Sequence, residues 1–287
     1  MKSVVPLILI CVACSGASTV RSDPVLIAAG DIASCVSSGD EATALLVEGL
    51  PGTVATLGDN VYETGSAEQF AACYTPTWGR FKDRTRPAPG VHDYLTPGAA
   101  DYFNYFGATA GELGKDYYSY ELGMWHVVVL NSLCWTVGGC AAGSPQEQWL
   151  RADLAAHPTH CTLAYWHHPR FSSGLHGNFL PVQPFWQALY DLDAEVVLNA
   201  HDHLYERFAP QAPTGLADSA RGLREFIVGT GGRSHSRFGP VSLSNSEVRN
   251  ADTFGVLKIT LQATSYEWEF IPEAGGRFTD SGAAACH

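Results

Sequence analysis

The segment Val196-Val197-Leu198-Asn199-Ala200-His201-Asp202-His203-Leu204-Tyr205-Glu206-Arg207 places two histidines, one residue apart, just after an apolar run. A short apolar run rich in valine is typical of a buried strand, so a strand is predicted over Glu195–Leu198. The loop after this strand carries both imidazoles, and neutral imidazole is a common ligand of zinc and iron. Two histidines with this spacing also occur on one face of an ordinary strand. The interpretation therefore depends on the residues at the ends of the other strands.

Four further segments end in side chains that bind metals. They are Asp31 after the apolar run Val25–Ala29, Asp59 with Tyr62 after Val54–Leu57, His92-Asp93 after Pro89-Gly90, and His167-His168 after Cys161–Trp166. Carboxylate, phenolate and imidazole groups together suit Fe, Mn or Zn. A glycine before each of the two aspartates favours a sharp turn out of the strand.

Strands alternate with helices up to about residue 222, and strands dominate the remainder. The other predicted elements are helices over Glu41–Leu50, Ser66–Tyr74, a segment capped by Ser144 and ending at Ala156, and Pro181–Leu192, and strands over Trp125–Leu130, Arg224–Val228, Phe254–Leu261 and Ser265–Ile271. This order predicts a single α/β domain over residues 23–287 with at least one mixed sheet. Sites in such folds gather at the carboxyl ends of strands.

Composition limits the classes of function. Hydrophobic residues make up 46% of the 287 residues, which is enough for a sizeable core. The formal net charge of −12 argues against a nucleic-acid partner, because such a partner requires a basic surface. The charge does not exclude a small anionic substrate, since bound metal ions reverse the local sign of a site. No segment approaches the roughly 20 apolar residues that a membrane span requires.

Residues 1–22 are predicted to be a signal peptide and leader. Lys2 precedes the apolar run Val4–Ala13, and small residues come after it, with cleavage after Ala17. The expected location is therefore secreted or periplasmic. The alternative is a lipoprotein anchored at Cys14.

The mature chain keeps six cysteines, an even number that suggests three disulfides in an exported protein. None has the Cys-x-x-Cys spacing of a thiolate zinc site. The sequence does not choose among the pairings. Our working choice is Cys35–Cys73, Cys134–Cys140 and Cys161–Cys286.

The ordered set of polar blocks resembles the calcineurin-like metallophosphoesterases, and within them the purple acid phosphatase branch. The blocks are Gly30-Asp31, Gly58-Asp59-Asn60-Val61-Tyr62, Pro89-Gly90-Val91-His92-Asp93, Trp166-His167-His168-Pro169 and Ala200 to Arg207. The resemblance implies an α/β (α+β) fold in which two mixed β-sheets form a sandwich flanked by helices. It also implies two metal ions at the sheet edges.

The resemblance implies a first metal site of Asp31, Asp59, Tyr62 and His203. The second site would be Asp59, His167 and His201, with Asp59 bridging. Many relatives carry a histidine where this chain has Ala33, and tyrosinate from Tyr62 would favour Fe(III) there, paired with Fe, Zn or Mn(II). Asp202 and Glu206 are candidates to orient the ligating histidines.

One position departs from the family. Where the third block of relatives has an asparagine that binds the second metal and the phosphoryl group, this chain has Val91, which has neither donor nor acceptor. His92, paired with Asp93, is our candidate for protonating the leaving group. His168 and His176 are candidate phosphate donors, and Arg170 is a weaker candidate.

Three functions are compatible with these residues. The first is hydrolysis of small phosphomonoesters by a metal-activated hydroxide at a dinuclear centre. The second is a phosphodiesterase or nucleotide hydrolase of the same fold. The third is an exported protein that binds metal or phosphate with impaired catalysis because of Val91. The sequence does not determine the substrate, the metals or the oligomeric state.

Overall fold

A computed structural model describes Met1, residues 22–159 and residues 161–287. The predicted leader over residues 1–22, including Cys14, lies outside the described residues apart from Met1 and Ser22. Among the described residues, no helix has both the length and the apolar character needed to cross a membrane.

The described chain alternates strands and helices before ending in strands. The strands are β1 (Val25–Ala29), β2 (Ala33–Ser34), β3 (Thr53–Leu57), β4 (Val61–Tyr62), β5 (Thr85–Ala88), β6 (Tyr118–Leu122), β7 (Trp125–Val129), β8 (Cys161–Tyr165), β9 (Val196–Asn199), β10 (Tyr205–Phe208), β11 (Arg224–Val228), β12 (Ser246–Asn250), β13 (Gly255–Leu261), β14 (Ser265–Pro272) and β15 (Asp280–Ala285). The α-helices are α1 (Gly39–Glu48), α2 (Ala67–Gln69), α3 (Ala100–Phe106), α4 (Pro145–Ala156) and α5 (Gln183–Asp191). Short 3₁₀ segments lie at Trp78–Arg84, His92–Leu95, Pro97–Ala99, Gly107–Ala110 and Leu180–Val182, and a π-helical turn at Phe70–Tyr74.

The strands form two large mixed sheets. The first sheet has the order β15-β14-β13-β1-β3-β5, and the second has the order β12-β10-β11-β9-β8-β7-β6. In the first sheet β1, β3 and β5 are parallel, while β13 runs antiparallel to β1. In the second sheet β7, β8, β9 and β11 are parallel. Two mixed sheets with flanking helices are the architecture that the family resemblance implied.

The second sheet is buried on both faces. Val127, Leu163 and Leu198 belong to one hydrophobic core with the first sheet. Ala164 and Val197, which point to the opposite face, pack with apolar residues of α4 and α5. Burial on both faces explains why β8 and β9 appear as continuous apolar runs in the sequence.

The elements that were not predicted are mostly polar or short. β12 has four polar or charged residues out of five, and β15 consists largely of small residues that pair with β14 through the backbone. Edge strands of this kind contribute little to the core, so they carry no hydrophobic signal. α3 lies in a segment for which no helix was predicted. Ser144 occupies the N-cap position of α4, but its side chain makes no capping hydrogen bond.

Three disulfides join the cysteines in the pairs chosen from the sequence. They connect Cys35 to Cys73, Cys134 to Cys140, and Cys161 to Cys286. The last links residues 125 positions apart and ties the start of β8 to the residue after β15. It therefore fastens the second sheet to the first.

Candidate metal centre

The predicted ligands come after parallel strands of both sheets. Asp31 follows β1 and Asp59 follows β3 in the first sheet, while His167 follows β8 and His201 follows β9 in the second. Because the carboxyl ends of parallel strands meet at one edge of each sheet, the packing of the sheets brings the four residues together. All four lie in loops that directly follow these strands.

The first group of donors surrounds the hydroxyl of Tyr62. Its oxygen lies 2.7 Å from Asp31 Oδ1, 2.8 Å from Asp59 Oδ2 and 3.3 Å from His203 Nε2. His203 Nε2 lies 3.4 Å from Asp31 Oδ1. These are the four residues that the resemblance assigns to the first metal.

The second group of donors shares Asp59 with the first. His167 Nε2 lies 3.4 Å from Asp59 Oδ2 and 3.2 Å from His201 Nδ1. Ligand atoms of Asp31, Asp59 and His167 all lie within 4.8 Å of one another. The Oδ2 atom of Asp59 therefore stands between the two groups, where a bridging ligand would lie.

The outer atoms of three predicted ligands, Asp31, Asp59 and His167, are held by further hydrogen bonds. Asp31 Oδ2 accepts from the His201 amide at 2.8 Å, and Asp59 Oδ1 accepts from the His92 amide at 2.8 Å. His167 Nδ1 lies 2.9 Å from the carbonyl oxygen of Leu57. Such partners fix the orientation of a ligand and leave its inner atom free for a metal.

The prediction that Asp202 and Glu206 orient the histidines is wrong. His203 Nδ1 instead lies 2.7 Å from Ser234 Oγ, and the partner of His167 is a backbone carbonyl. Asp202 and Glu206 are fully buried and bond to another loop. Asp202 lies in the loop between the two histidines and Glu206 lies on β10, and both side chains bond the 168–179 loop instead.

Three ligand residues have left-handed backbone conformations. The φ angles are 56° at Asp31, 51° at Asp59 and 71° at His201. Such angles are uncommon outside glycine, and they often mark functional sites. Gly58 has a φ of 89°, whereas Gly30 is required by close packing, since an added Cβ would lie 2.5 Å from Ala200 Cβ. Gly58 thus permits a left-handed backbone conformation, whereas Gly30 permits close contact with Ala200.

Burial and neighbouring charges shift the pKa values of the ligands. Burial opposes the charge on Asp59, but His167 outweighs it and lowers the pKa of the carboxyl far below its usual value. Burial likewise opposes the charge on His167, yet Asp59 raises the pKa of that imidazole to about 9. Burial, Asp31 and Asp59 together raise the pKa of Tyr62 well above 10. In the absence of a cation, the centre therefore retains protons on Tyr62 and His167.

The donor set fits a pair of cations. It contains two carboxylates, a phenol and three imidazoles, the ligands preferred by Fe, Mn and Zn. Within the described chain, no lysine or arginine nitrogen lies within 4.0 Å of Asp31 or Asp59. Buried carboxylates normally pair with cations or coordinate metals. Metal ions would replace the protons on Tyr62 and His167 and supply positive charge beside the two carboxylates.

Asp93 does not contact the ring of His92, so the predicted pairing is wrong. The carboxylate of Asp93 accepts from the Gly90 amide at 2.8 Å and from Asn60 Nδ2 at 2.9 Å. His92 Nδ1 lies 2.5 Å from the carbonyl oxygen of Glu63. Burial, followed by Asp59, raises the pKa of Asp93 to about 7. Asp93 thus joins the loops that present Asp59 and His92, because its side chain turns into the protein.

His168 and His176 lie beside the second group of donors. The ring centroid of His201 is 4.3 Å from that of His168 and 4.5 Å from that of His176. His168 is buried, with Nδ1 2.8 Å from Ser132 Oγ, whereas His176 is exposed. Burial lowers the pKa of His168 to about 3, so this imidazole is neutral.

The side chain of Arg170 does not turn toward the imidazoles. Its guanidinium bonds Gln183 and lies 4.2 Å from the ring centroid of Phe171. Val91 is partly buried and precedes the short helical segment of His92. No polar side chain takes its place in the same block.

Sequence reasoning missed several neighbours of the ligands. They are Ser132 beside His168, Ser234 beside His203, and Arg233, whose guanidinium lies 5.1 Å from the ring centroid of Tyr62. Two of them lie in the glycine- and serine-rich segment 231–236 after β11. Since β11 is parallel to β9, its carboxyl end lies at the same edge. The position of segment 231–236 after a parallel strand was the signal from which these neighbours could have been predicted.

A second cluster of metal-binding residue types lies elsewhere, at His126, Asp153 and His157. His126 on β7 lies 2.7 Å from Glu121 through Nδ1 and 2.7 Å from Asp153 through Nε2. The ring of His157 stacks on that of His126, with centroids 4.5 Å apart. Because both nitrogens of His126 already face carboxylates, this cluster is an ion pair that joins β7 to α4.

We expect this ion pair to stabilise the fold in mildly acidic solution. Burial opposes the charge on His126, but hydrogen bonds to Asp153 and Glu121 outweigh it and raise the pKa, while the pKa of Asp153 is lowered. A raised histidine pKa gives stability that is complete below about pH 6.5 and is lost as the pH rises through the folded pKa. Because the pKa of Asp153 is lowered, the contribution of this carboxylate to stability persists as the pH falls to about 4.

His126→Gln should therefore lower the free energy of unfolding by about 2 kcal/mol at pH 5, and by less at pH 9. Urea unfolding at both pH values measures the difference. Lys258→Gln, which breaks an ion pair between partly exposed side chains, serves as the control. An equal loss at both pH values would contradict the assignment.

Comparisons with known proteins identify the fold. No family model and no curated protein matches the sequence. Among solved structures, the purple acid phosphatase PPD1 from yellow lupin (Lupinus luteus) seeds superposes with a TM-score of 0.73 at 18% identity, covering 92% of this chain and 54% of that one. The chain thus spans about half the length of that phosphatase.

Two further structures share the arrangement. GAP50, the anchor in the inner membrane complex of Plasmodium, has a TM-score of 0.71 at 11% identity, covering 93% of this chain and 90% of that one. PhoD has a TM-score of 0.60 at 9% identity, with 93% and 70% covered. Together with two mixed sheets that meet at a cluster of aspartates and histidines, these likenesses show that the chain has the calcineurin-like metallophosphoesterase fold.

Proposed function

We propose that this protein is a metal-dependent phosphoric ester hydrolase of the purple acid phosphatase type, acting on small phosphomonoesters at a dinuclear centre. The observation that carries the proposal is the position of Asp59 Oδ2, which lies 2.8 Å from the Tyr62 hydroxyl and 3.4 Å from His167 Nε2. A single carboxylate oxygen that faces two donor groups would be placed to bridge two adjacent cations. When bound, such cations would supply an activated water nucleophile and neutralise phosphate charge.

His92 is our candidate general acid for the leaving group. Its Nδ1 faces the carbonyl oxygen of Glu63, so Nδ1 carries a proton and donates a hydrogen bond to that oxygen. Its Nε2 lies 4.0 Å from Asp59 Oδ2, on the side of the donor groups. The Glu63 carbonyl, rather than Asp93, would thus orient the ring. In the imidazolium form, Nε2 would carry the second proton and could transfer it to the leaving oxygen. General acid help of this kind contributes about 10²–10⁴-fold.

His168 and His176 are our candidates for holding phosphate oxygens. Both rings lie beside His201, and His176 reaches solvent at the mouth of the centre. A neutral His168 still offers one N–H donor. These two residues would orient the phosphoryl group for in-line attack.

An assay with an aryl phosphate and the matching aryl phosphodiester tests the reaction. The protein is loaded with Fe, Zn or Mn, and its metal content is measured by elemental analysis. We expect about two metals per chain and faster hydrolysis of the monoester. Faster hydrolysis of the diester would favour the second candidate, a phosphodiesterase or nucleotide hydrolase of the same fold.

A non-catalytic binding protein is the third candidate, and Val91 is the observation that favours it. The fold also occurs in a protein named as an anchor, so the fold alone does not imply turnover. This candidate predicts bound metal without hydrolysis of either ester.

Val91→Asn tests the departure from the family pattern. If asparagine adds a ligand to the second group of donors, we expect at least a tenfold gain in affinity for the second metal or in kcat. Val91→Ala, which adds no donor or acceptor, is the matched control. A Val91→Asn variant no better than Val91→Ala would show that this position is not the weak point.

Tyr62 is the proposed ligand of a ferric ion. We expect iron-loaded protein to show a visible charge-transfer band that is absent from the Tyr62→Phe variant. The absorption spectrum measures this directly. An unchanged band in Tyr62→Phe would remove Tyr62 from the first metal site.

Export to the periplasm or the exterior remains our proposal for location, with residues 1–22 as leader and residues 23–287 as one domain. Three disulfides support it, because disulfides persist in oxidising compartments. Lipidation at Cys14 is the alternative. Mass spectrometry of the protein from its native membrane and soluble fractions distinguishes the two.

A further inference from the structure

The loop of residues 168–179, which carries His168 and His176, is anchored by buried carboxylates. Glu225 Oε1 accepts hydrogen bonds from the amides of Arg170 at 3.1 Å and Phe171 at 3.3 Å. Glu206 Oε2 accepts from the amide of Ser173 at 2.8 Å. The two glutamates come from the neighbouring strands β11 and β10. They therefore bind the backbone of the 168–179 loop to the second sheet.

Asp202 anchors the other part of the same loop. Its Oδ1 accepts from the amide of His176 at 3.1 Å, and its Oδ2 accepts from Ser172 Oγ at 2.5 Å. Gly174 packs directly on this carboxylate, since an added Cβ would lie 2.2 Å from Asp202 Cγ. The loop is thus fitted closely against Asp202, and that fit sets the position of His176.

These three carboxylates lack an ion-pair partner. Each is fully buried, and within the described residues none has a lysine, arginine or histidine nitrogen within 4.0 Å. Ser246 Oγ donates to Glu206 Oε1, whereas Glu225 Oε2 has no partner. Burying a carboxyl group without a cation is costly. Stability alone therefore does not account for the carboxylates.

What the carboxylates do maintain is the position of the loop. Five loop donors end on them: the amides of Arg170, Phe171, Ser173 and His176 and the hydroxyl of Ser172. The same loop holds the rings of His168 and His176 within 4.5 Å of the ring of His201. An unanchored loop would let the exposed His176 move away from the centre.

We propose that Glu206 and Glu225 are positioning residues that hold the 168–179 loop so that His168 and His176 bind the phosphoryl group of the substrate. The proposal rests on the proposed phosphoesterase function and assigns to the two glutamates a role in phosphate affinity. They act through the loop backbone and touch neither substrate nor metal.

Glu225→Leu and Glu225→Gln test the proposal. In Glu225→Leu the amides of Arg170 and Phe171 lose their acceptor. We expect KM and the dissociation constant of orthophosphate to rise about tenfold or more, with kcat within about threefold and metal content unchanged. Hydrogen exchange at these amides should accelerate. Glu225→Gln should behave like the parent, because its carbonyl oxygen replaces Oε1 and its amide takes the place of an atom without a partner.

Glu195 supplies a matched control. It is a buried glutamate that accepts the amide of Thr162 at 2.6 Å, and its Oε1 has no partner. It lies just before β9, at the end of the strand opposite His201. Glu195→Leu should cost stability as Glu225→Leu does, yet leave KM and orthophosphate binding unchanged.

Two outcomes would overturn the proposal. One is faster exchange in the 168–179 loop of Glu225→Leu with unchanged orthophosphate affinity, and the other is an equal loss of affinity in Glu195→Leu. If Glu225→Leu does not fold, Ser246→Ala is a milder test, because it removes the hydrogen bond that Ser246 donates to Glu206. We expect this variant to raise KM severalfold. An unchanged KM in Ser246→Ala would contradict the proposal. Orthophosphate calorimetry and hydrogen exchange need no turnover. A parent protein that hydrolyses no ester would therefore refute the proposed function without deciding the role of the glutamates.

Discussion

Asp59→Asn is expected to reduce kcat/KM for an aryl phosphate by about 10³-fold and to remove tightly bound metal. Metal ions supply several kcal/mol of transition-state stabilisation, and each 1.36 kcal/mol is about a tenfold change in rate. Asp59 is the residue common to both donor groups, with Oδ2 facing Tyr62 and His167. Its loss would therefore weaken both metal sites at once.

Asparagine is the informative replacement because it preserves the backbone. Asp59 has a φ of 51°, and asparagine adopts this left-handed conformation more readily than most residues. The neutral amide has the same shape but cannot bridge two cations as a carboxylate does. Activity and elemental analysis are measured on the same sample.

Asp83→Asn is the control, since Asp83 is exposed and away from the donor groups. It should retain full activity and metal content. If Asp59→Asn keeps its metal and loses less than tenfold in kcat/KM, Asp59 does not bridge two cations.

Gly58→Ala should lose second-site metal and at least about 100-fold in activity. A Cβ at residue 58 would lie 2.6 Å from His167 Nδ1, so the imidazole must move away from Asp59 and from the Leu57 carbonyl. Loss of a partner that orients a metal ligand typically costs 10–100-fold, and displacement of the ligand itself costs more. The φ of 89° adds backbone strain for any residue with a side chain.

Gly107→Ala separates the strain from the clash. Gly107 has a φ of 61°, but an added Cβ there would meet nothing within 4 Å. Each variant should lose about 1–2 kcal/mol in free energy of unfolding from backbone strain. Only Gly58→Ala should lose metal and activity, as judged by elemental analysis and the aryl phosphate assay. Equal activities in the two variants would mean that His167 tolerates the displacement.

Strands could be predicted from the sequence where the chain is both apolar and regular. The strands over Val25–Ala29 and Arg224–Val228 were predicted with their observed bounds. Buried parallel strands require long apolar side chains, so β8 and β9 leave a signal in composition. β12 and β15 are stabilised by backbone pairing at sheet edges, and pairing of that kind places little demand on residue type.

The sequence by itself determined which chemical groups are available: two aspartates, a tyrosine and a set of histidines, each after a strand. Only the tertiary structure decided which of their atoms face one another. It also decided which groups form hydrogen bonds with the remaining polar atoms of these side chains. Leu57 and Glu63 act through backbone carbonyls, which every residue has, so no residue type marks them. Asp93, Asp202 and Glu206 look like partners of the histidines along the chain, but the packing of the two sheets turns them toward the loops they anchor. Contact between distant segments depends on how the sheets pack, and a one-dimensional pattern does not contain that information.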